Sequence, residues 1–370
     1  MGMGEMRIVC VDLVQKVRDI KYTYDQPLGG TTSNIYTLSK GFIEHDSSVA
    51  ILSNIENSSS DEWIFYDTIR KWKEYVNKAD VVCINSCIDT NIIDYGHKNL
   101  FYICRDYPDV IRTKWMLDKS LVDKFKYIVF VSEYHMNFMI NHYRLPREKC
   151  RFIHNPIYTP FYTQPRHRYE NRFVFISAPC KGINSLPYYI NRINNRLKSI
   201  NPEFYVYSSE SLYNHFDELP YSRVDSRYTE SVDSIRMLDN VYVRDVVGKK
   251  YIAEILKESS ILIHPHEYIE ACPTAIIESM ASGCIPVMGN KGPSDEIITD
   301  KFNGRLTERK EHHTGNASED KCYIDELVDI TVDLFENSDM SSYRKNCIES
   351  SIEKYNYIDI SRKFINLFKE

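Results

Sequence analysis

Short apolar runs alternating with helix-spaced stretches set the rhythm of this chain. Residues 6–12 (MRIVCVD) form a continuous apolar run of strand type, and 48–53, 80–85, 99–104 and 127–132 repeat it. Between them, helical spacing runs from the end of the 28–34 segment (LGGTTSN) to about Ile43, through 62–78, and through 134–143. Residues 150–156 (CRFIHNP) close this first series, and the charged, aromatic, aperiodic 162–171 predicts a linker. A second series has strand-type runs at 173–177, 204–207, 241–244, 261–263 and 285–287, with helices predicted at 251–258, 274–282, 323–335, 340–354 and 358–368. Residues 208–234 are polar and read as an insertion, and 308–320 as a flexible loop. Such alternation predicts an α/β chain of two doubly wound parallel-sheet domains.

The most informative stretch is 261–287, ILIHPHEYIEACPTAIIESMASGCIPV. An apolar strand is followed by a polar loop. Pro273 suits a first helical turn, because its fixed φ fits and its missing N–H is not needed there. Ala275, Ile276, Met280 and Ala281 then fall at helical spacing, and Gly283 predicts a left-handed stop. Two carboxylates bracket this turn, Glu270 in the loop and Glu278 inside the helix. A helix start near Cys272 and Thr274 offers N–H groups and a positive dipole end, which suits phosphate. A carboxylate one turn on can accept bonds from vicinal hydroxyls such as those of a ribose, and one in the loop can do the same for a sugar. The spacing suits a nucleotide sugar. The residues by themselves leave an ordinary βαβ helix with a solvated glutamate equally open.

Composition narrows the class. The chain has 370 residues, enough for two domains, with 43% hydrophobic and 26% charged residues. A net charge of −6 argues against a general nucleic-acid binder. Ten scattered cysteines without a C-x-x-C pair read as reduced thiols, which points to a cytoplasmic protein rather than a zinc site or a disulfide framework. No apolar run reaches transmembrane length, and residues 1–5 lack a signal-peptide core. His264 and His266 flank Pro265, but a zinc-hydrolase reading lacks a recognisable third ligand. His312-His313 and His97 read as solvated.

Glu270 to Glu278, followed by Ser279-Met-Ala-Ser-Gly-Cys-Ile-Pro-Val287, resembles the E-x7-E signature of family 4 glycosyltransferases of the GT-B fold. Cys-Pro-Thr stands where Gly-Phe-Gly is commoner. Gly29-Gly30 occupies the place of the family's Gly-Gly loop after the first strand, and Lys181-Gly182 that of its Lys-Gly phosphate loop. The Arg usually preceding that lysine is missing, with Arg244 a candidate replacement. Arg105 or Asp106 stands where many members have a His.

The resemblance implies two Rossmann-like domains facing a cleft, 1–165 for the acceptor and 166–350 for the nucleotide sugar, with 351–370 crossing back to the first. It implies a retaining transfer from a UDP- or GDP-sugar to a glycan or other hydroxyl acceptor, with no cofactor and no metal. Glu270 and Lys181 would be catalytic. Glu278, Thr274, Cys272, Gly29, Gly30, Arg244 and Lys181 would hold the donor. The alternatives are a nucleotide-sugar-binding protein without transfer activity, and a non-transferring GT-B enzyme such as an epimerase.

Overall fold

The computed structural model describes residues 6–15, 17, 20–61, 64–209, 226–308 and 317–370. The chain forms two compact units, one of Met1–Tyr158 with Lys354–Glu370 and one of Thr159–Glu353.

The first unit runs β1 (Met6–Asp12), α1 (Gly30–Ile43), β2 (Ser47–Ser53), β3 (Ser59–Asp61), β4 (Ile64–Thr68), α2 (Trp72–Val76), β5 (Val81–Asn85), α3 (Thr90–Tyr95), β6 (Leu100–Cys104), α4 (Lys119–Lys124), β7 (Tyr127–Phe130), α5 (Glu133–Tyr143) and β8 (Cys150–Phe152). The strands form one eight-stranded sheet in the order β3-β4-β2-β1-β5-β6-β7-β8, parallel except for β3 against β4. β5 and β6 are buried at every position, as strands covered on both faces must be.

The 62–78 segment departs from the helix expected for it. Ile64 and Tyr66 are buried and Phe65 between them is exposed, so a period of two carries the segment into β4, paired in parallel with β2. Thr68 caps a following 3-10 turn, and helix survives only in α2.

The second unit continues with β9 (Tyr169–Phe175), α6 (Leu186–Arg196), β10 (Glu203–Tyr207), α7 (Ser226–Arg236), β11 (Val241–Arg244), α8 (Lys249–Glu258), β12 (Ser259–His264), α9 (Thr274–Ala281), β13 (Ile285–Met288), α10 (Ser294–Ile297), β14 (Arg305–Leu306), α11 (Ala317–Asn337) and α12 (Met340–Tyr355). Its six strands are all parallel, in the order β11-β10-β9-β12-β13-β14. Part of the presumed insertion is the helix α7; residues 210–225 and the His312-His313 pair lie outside the described residues.

The division between units falls at Tyr158/Thr159, earlier than position 165. The segment expected to be a linker is bound to the second unit: Arg166 pairs with Glu254, and the Arg168 guanidinium donates to the carbonyls of Ser259 and, at 2.6 Å, Ser282.

The last helix, α13 (Tyr357–Lys369), belongs to the first unit. Phe364 and Phe368 pack on Phe42 of α1, and Phe368 on Phe101 of β6. His45 Nε2 donates to the Ile358 carbonyl at 2.8 Å. The two helices approach so closely at Gly41 that a Cβ there would lie 2.5 Å from both Ser361 Oγ and the Tyr357 carbonyl. Gly41→Ala is therefore expected to destabilise the protein by about 1–3 kcal/mol, as overpacking does. The denaturant midpoint checks this, and an unshifted midpoint would contradict the tight α1–α13 packing.

Candidate functional site

The second unit concentrates its candidate chemistry at the carboxyl ends of β9 and β12, the edge where parallel α/β sheets take ligands. Two loops meet there. Gly182, at φ 148°, lies so near the Pro265 ring that a Cβ would stand 2.7 Å from it, and the Glu267 amide donates to the Lys181 carbonyl at 3.2 Å. The loop after β9 is thereby laid against the loop after β12.

Glu270 sits where they join. One carboxylate oxygen pairs with Lys181 Nζ. The other accepts from His264 Nε2 at 2.8 Å, while His264 Nδ1 lies 3.4 Å from Ser177 Oγ. The Glu270 amide donates to His266 Nε2 at 3.4 Å, and His266 Nδ1 donates to the Gly289 carbonyl at 3.1 Å. His266 is held at φ 61°, a left-handed backbone uncommon outside glycine.

Side-chain exposure is 11% for Glu270 and 22% for Lys181. Burial alone would raise the Glu270 carboxyl, but the Lys181 ammonium and the His264 hydrogen bond bring it well below the ordinary carboxylate range. Burial pushes His266 down to about 3, with His264 beside it adding to the effect. The fixed state is an ionised carboxylate between a cation and two imidazoles, with His266 neutral.

α9 begins at Thr274 behind Pro273, which as the cap residue offers no side-chain hydrogen bond. By contrast α3, α4 and α5 are capped by Asp89, Asp118 and Ser132. Cys272 is a buried cysteine, in no disulfide, just before the turn. Gly283 ends the segment at φ 69°. Inside α9, Glu278 is buried and pairs with Lys249 at 2.9 Å.

Sequence reasoning missed Lys249. Arg244, the proposed replacement cation, is exposed at the end of β11, over the Tyr242 ring and against its own Val243 carbonyl, and makes no ion pair with either glutamate. Lys249 opens α8 after Gly248, and that Gly-Lys pair before a helix was the available signal. His264, His266 and Glu270 have ligand-type atoms all within 4.8 Å of one another, so Glu270 lies beside the two imidazoles for which the sequence showed no third partner.

Gly29 and Gly30 belong to the first unit. Gly29 precedes α1 and its amide donates to Gln15 Oε1 at 2.9 Å; Gly30 is the first helical residue. Gly29 is extended (φ −62°, ψ 155°), so this is an ordinary uncapped helix start rather than a left-handed glycine turn. At the same sheet edge, Asn85 donates to Asp12 at 3.1 Å, and Arg105 binds Asn85 at 3.0 Å and Asn155. Burial raises Asp12 to about 6 against the Asn85 bond. Asp106 pairs with Arg112 at 3.0 Å and is taken up inside the unit.

Residues 225–327 match the family model described as glycosyl transferases group 1. No curated protein matches the sequence. Solved structures similar to this chain include a sucrose-phosphate synthase from Thermosynechococcus elongatus (11% identity, 99% of this chain and 98% of that one, TM-score 0.73). Another is Anabaena Alr3699/HepE in complex with UDP and glucose (13%, 99% and 100%, TM-score 0.65). A third is WaaG, a glycosyltransferase involved in lipopolysaccharide biosynthesis (11%, 98% and 99%, TM-score 0.64). The chain has the GT-B glycosyltransferase fold. No helix among the described residues is long and apolar enough to cross a membrane.

The buried imidazole gives a pH signature. Folded His266 takes up its proton near pH 3, against about 6.5 when unfolded. Between these values the unfolded chain holds more protons, so stability rises with pH through the window and falls on acidification, by up to about 1.4 kcal/mol per unit. His266→Asn, which tolerates the left-handed backbone, is expected to flatten this slope in urea titrations from pH 7 to 4.

Proposed function

We propose that this chain is a retaining glycosyltransferase that moves a sugar from a UDP- or GDP-sugar to a glycan or other hydroxyl acceptor, without a metal or other cofactor. The observation that carries this reading is the pair of glutamates on either side of the α9 start, Glu270 largely and Glu278 fully buried, held by Lys181 of the loop after β9 and by Lys249 at the start of α8. The bond from the anomeric carbon to the diphosphate breaks and the bond to the acceptor oxygen forms. The acceptor proton passes to the leaving diphosphate, so no carboxylate nucleophile is required. Charge grows on the diphosphate, and a lysine with the amide end of a helix is suited to stabilise it.

In this reading Lys181 and the Thr274 end of α9 serve the diphosphate, with Cys272 lining the turn. Glu278 binds the ribose hydroxyls and Glu270 the donor sugar. Lys249 supplies the second cation that the loop after β9 lacks. The lysine–glutamate pairs are the resting arrangement: an arriving diphosphate draws Lys181 and Lys249 away, leaving each carboxylate to accept from sugar hydroxyls.

Incubation with a panel of UDP- and GDP-sugars, with acceptor and product analysis by NMR, tests the reading. A glycoside with the donor's anomeric configuration is expected. An inverted product would remove the retaining assignment, an altered sugar nucleotide would indicate an epimerase, and binding without turnover a binding protein.

The mutants have separate signatures. Glu278→Ala is expected to weaken the nucleoside diphosphate roughly ten- to a hundredfold, the loss of charge-assisted hydrogen bonds. Lys181→Ala is expected to weaken it and lower transfer. Glu270→Ala frees Lys181, so diphosphate affinity should stay near normal or tighten while transfer falls by about a hundredfold, the scale of a misplaced reactant. Calorimetry with UDP and GDP beside initial rates checks all three; equal weakening by the two glutamate variants would reverse the proposed order of ribose, diphosphate and sugar.

A further inference from the structure

The glutamate assigned to the donor sugar also stands between two imidazoles, and that grouping has a chemistry of its own. We propose that His264, His266 and Glu270 form a binding site for a borderline divalent cation of the Zn2+ class, in competition with Lys181. The site is a property of these side chains whether or not the chain transfers sugar.

Three features favour an ion there. The first is convergence, since the ligand-type atoms of all three side chains lie within 4.8 Å of one another. Around a tetrahedral ion bound at about 2.0–2.1 Å they would stand ~3.3 Å apart, a contraction within reach of side-chain rotation. The second is orientation. A carbonyl only accepts, so His266 Nδ1, 3.1 Å from the Gly289 carbonyl, carries the proton and Nε2 keeps its lone pair. That backbone anchor on the far nitrogen is the usual way a metal-binding imidazole is aimed. His266 Nε2 accepts only a long contact from the Glu270 amide, at 3.4 Å, which an ion replaces. The third is donor type: two imidazoles and one carboxylate suit Zn2+, Co2+ or Ni2+ rather than Mg2+ or Ca2+.

The exchange balances. His264 now donates from Nε2 to Glu270 Oε1 at 2.8 Å. When an ion takes Nε2, that proton is taken up at Nδ1, which faces Ser177 Oγ at 3.4 Å. Glu270 Oε1 turns from accepting the imidazole proton to ligating the ion, and water fills the remaining position. Lys181, held by the other oxygen of Glu270, is the ammonium that the ion must work against.

The test uses the full chain stripped with a chelator, equilibrium dialysis against Zn2+, and Co2+ as a visible reporter. Wild type is expected to bind one ion per chain and to give the strong ligand-field absorption of four-coordinate Co2+, unaffected by excess Mg2+. Glu270→Gln should weaken binding at least tenfold. Lys181→Met, a change at a partly exposed side chain, should tighten it several-fold by removing the competing charge. A double His312→Gln, His313→Gln variant should bind as wild type does. The proposal is overturned if wild type gives no Co2+ spectrum, which needs no variant to observe. It also fails if Glu270→Gln or Lys181→Met leaves affinity unchanged, or if the His312/His313 variant abolishes binding.

Discussion

A carboxylate shut away from water stays ionised only if its neighbours supply what water would. Glu270, at 11% side-chain exposure, comes close to that position, and the loops of the second unit are arranged around satisfying it. Lys181 comes from the loop after β9, His264 from the last residue of β12, and the Glu270 amide is itself held by His266. Removing one partner of such a cluster leaves a buried charge, which typically costs about 3–5 kcal/mol. The same constraint reaches into the backbone: the loop carrying Lys181 comes near enough only because Gly182 has no side chain to strike Pro265.

Glu278, at 7% side-chain exposure, meets the same constraint with fewer partners. It lies within α9, where a helix supplies no spare donors to a mid-helix side chain, and takes a single cation from the first residue of α8. The two glutamates thus differ in how firmly each is tied, Glu270 by a lysine, an imidazole and its own amide, Glu278 by Lys249. In the first unit the corresponding sheet edge holds Asp12 by amide hydrogen bonds through Asn85 rather than by an ion pair, and Arg105 by Asn85 and Asn155. Burial raises Asp12 all the same, against the Asn85 bond and the nearby Arg105 charge, which pull it down.

Much of the β12–α9–β13 unit was legible, because its signals are local: an apolar run, Pro273, helical spacing and Gly283. Residues 62–78 misled because Ile64, Phe65 and Tyr66 are consecutive and apolar in type, and only burial reveals that Phe65 faces outward. Glu270 and Glu278 were legible as a spaced pair, but their partners were not. Lys249 precedes Glu278 by 29 positions, and only the packing of α8 against α9 brings them together. The tautomer of His266 was equally hidden, since it depends on the Gly289 carbonyl across the neighbouring strand end.

The position of α13 bears on how the chain is made. The ribosome completes the eight strands of the first unit early, yet the helix that covers Phe42 and Phe101 emerges only after all of Thr159–Glu353. At ~5–20 residues per second that interval is roughly 10–40 s. Throughout it, the apolar side chains of α1 and β6 that await Phe364 and Phe368 are without their cover, a window in which a nascent-chain chaperone has something to hold. Of the two units, the one that emerges earlier is thus the later to be completed.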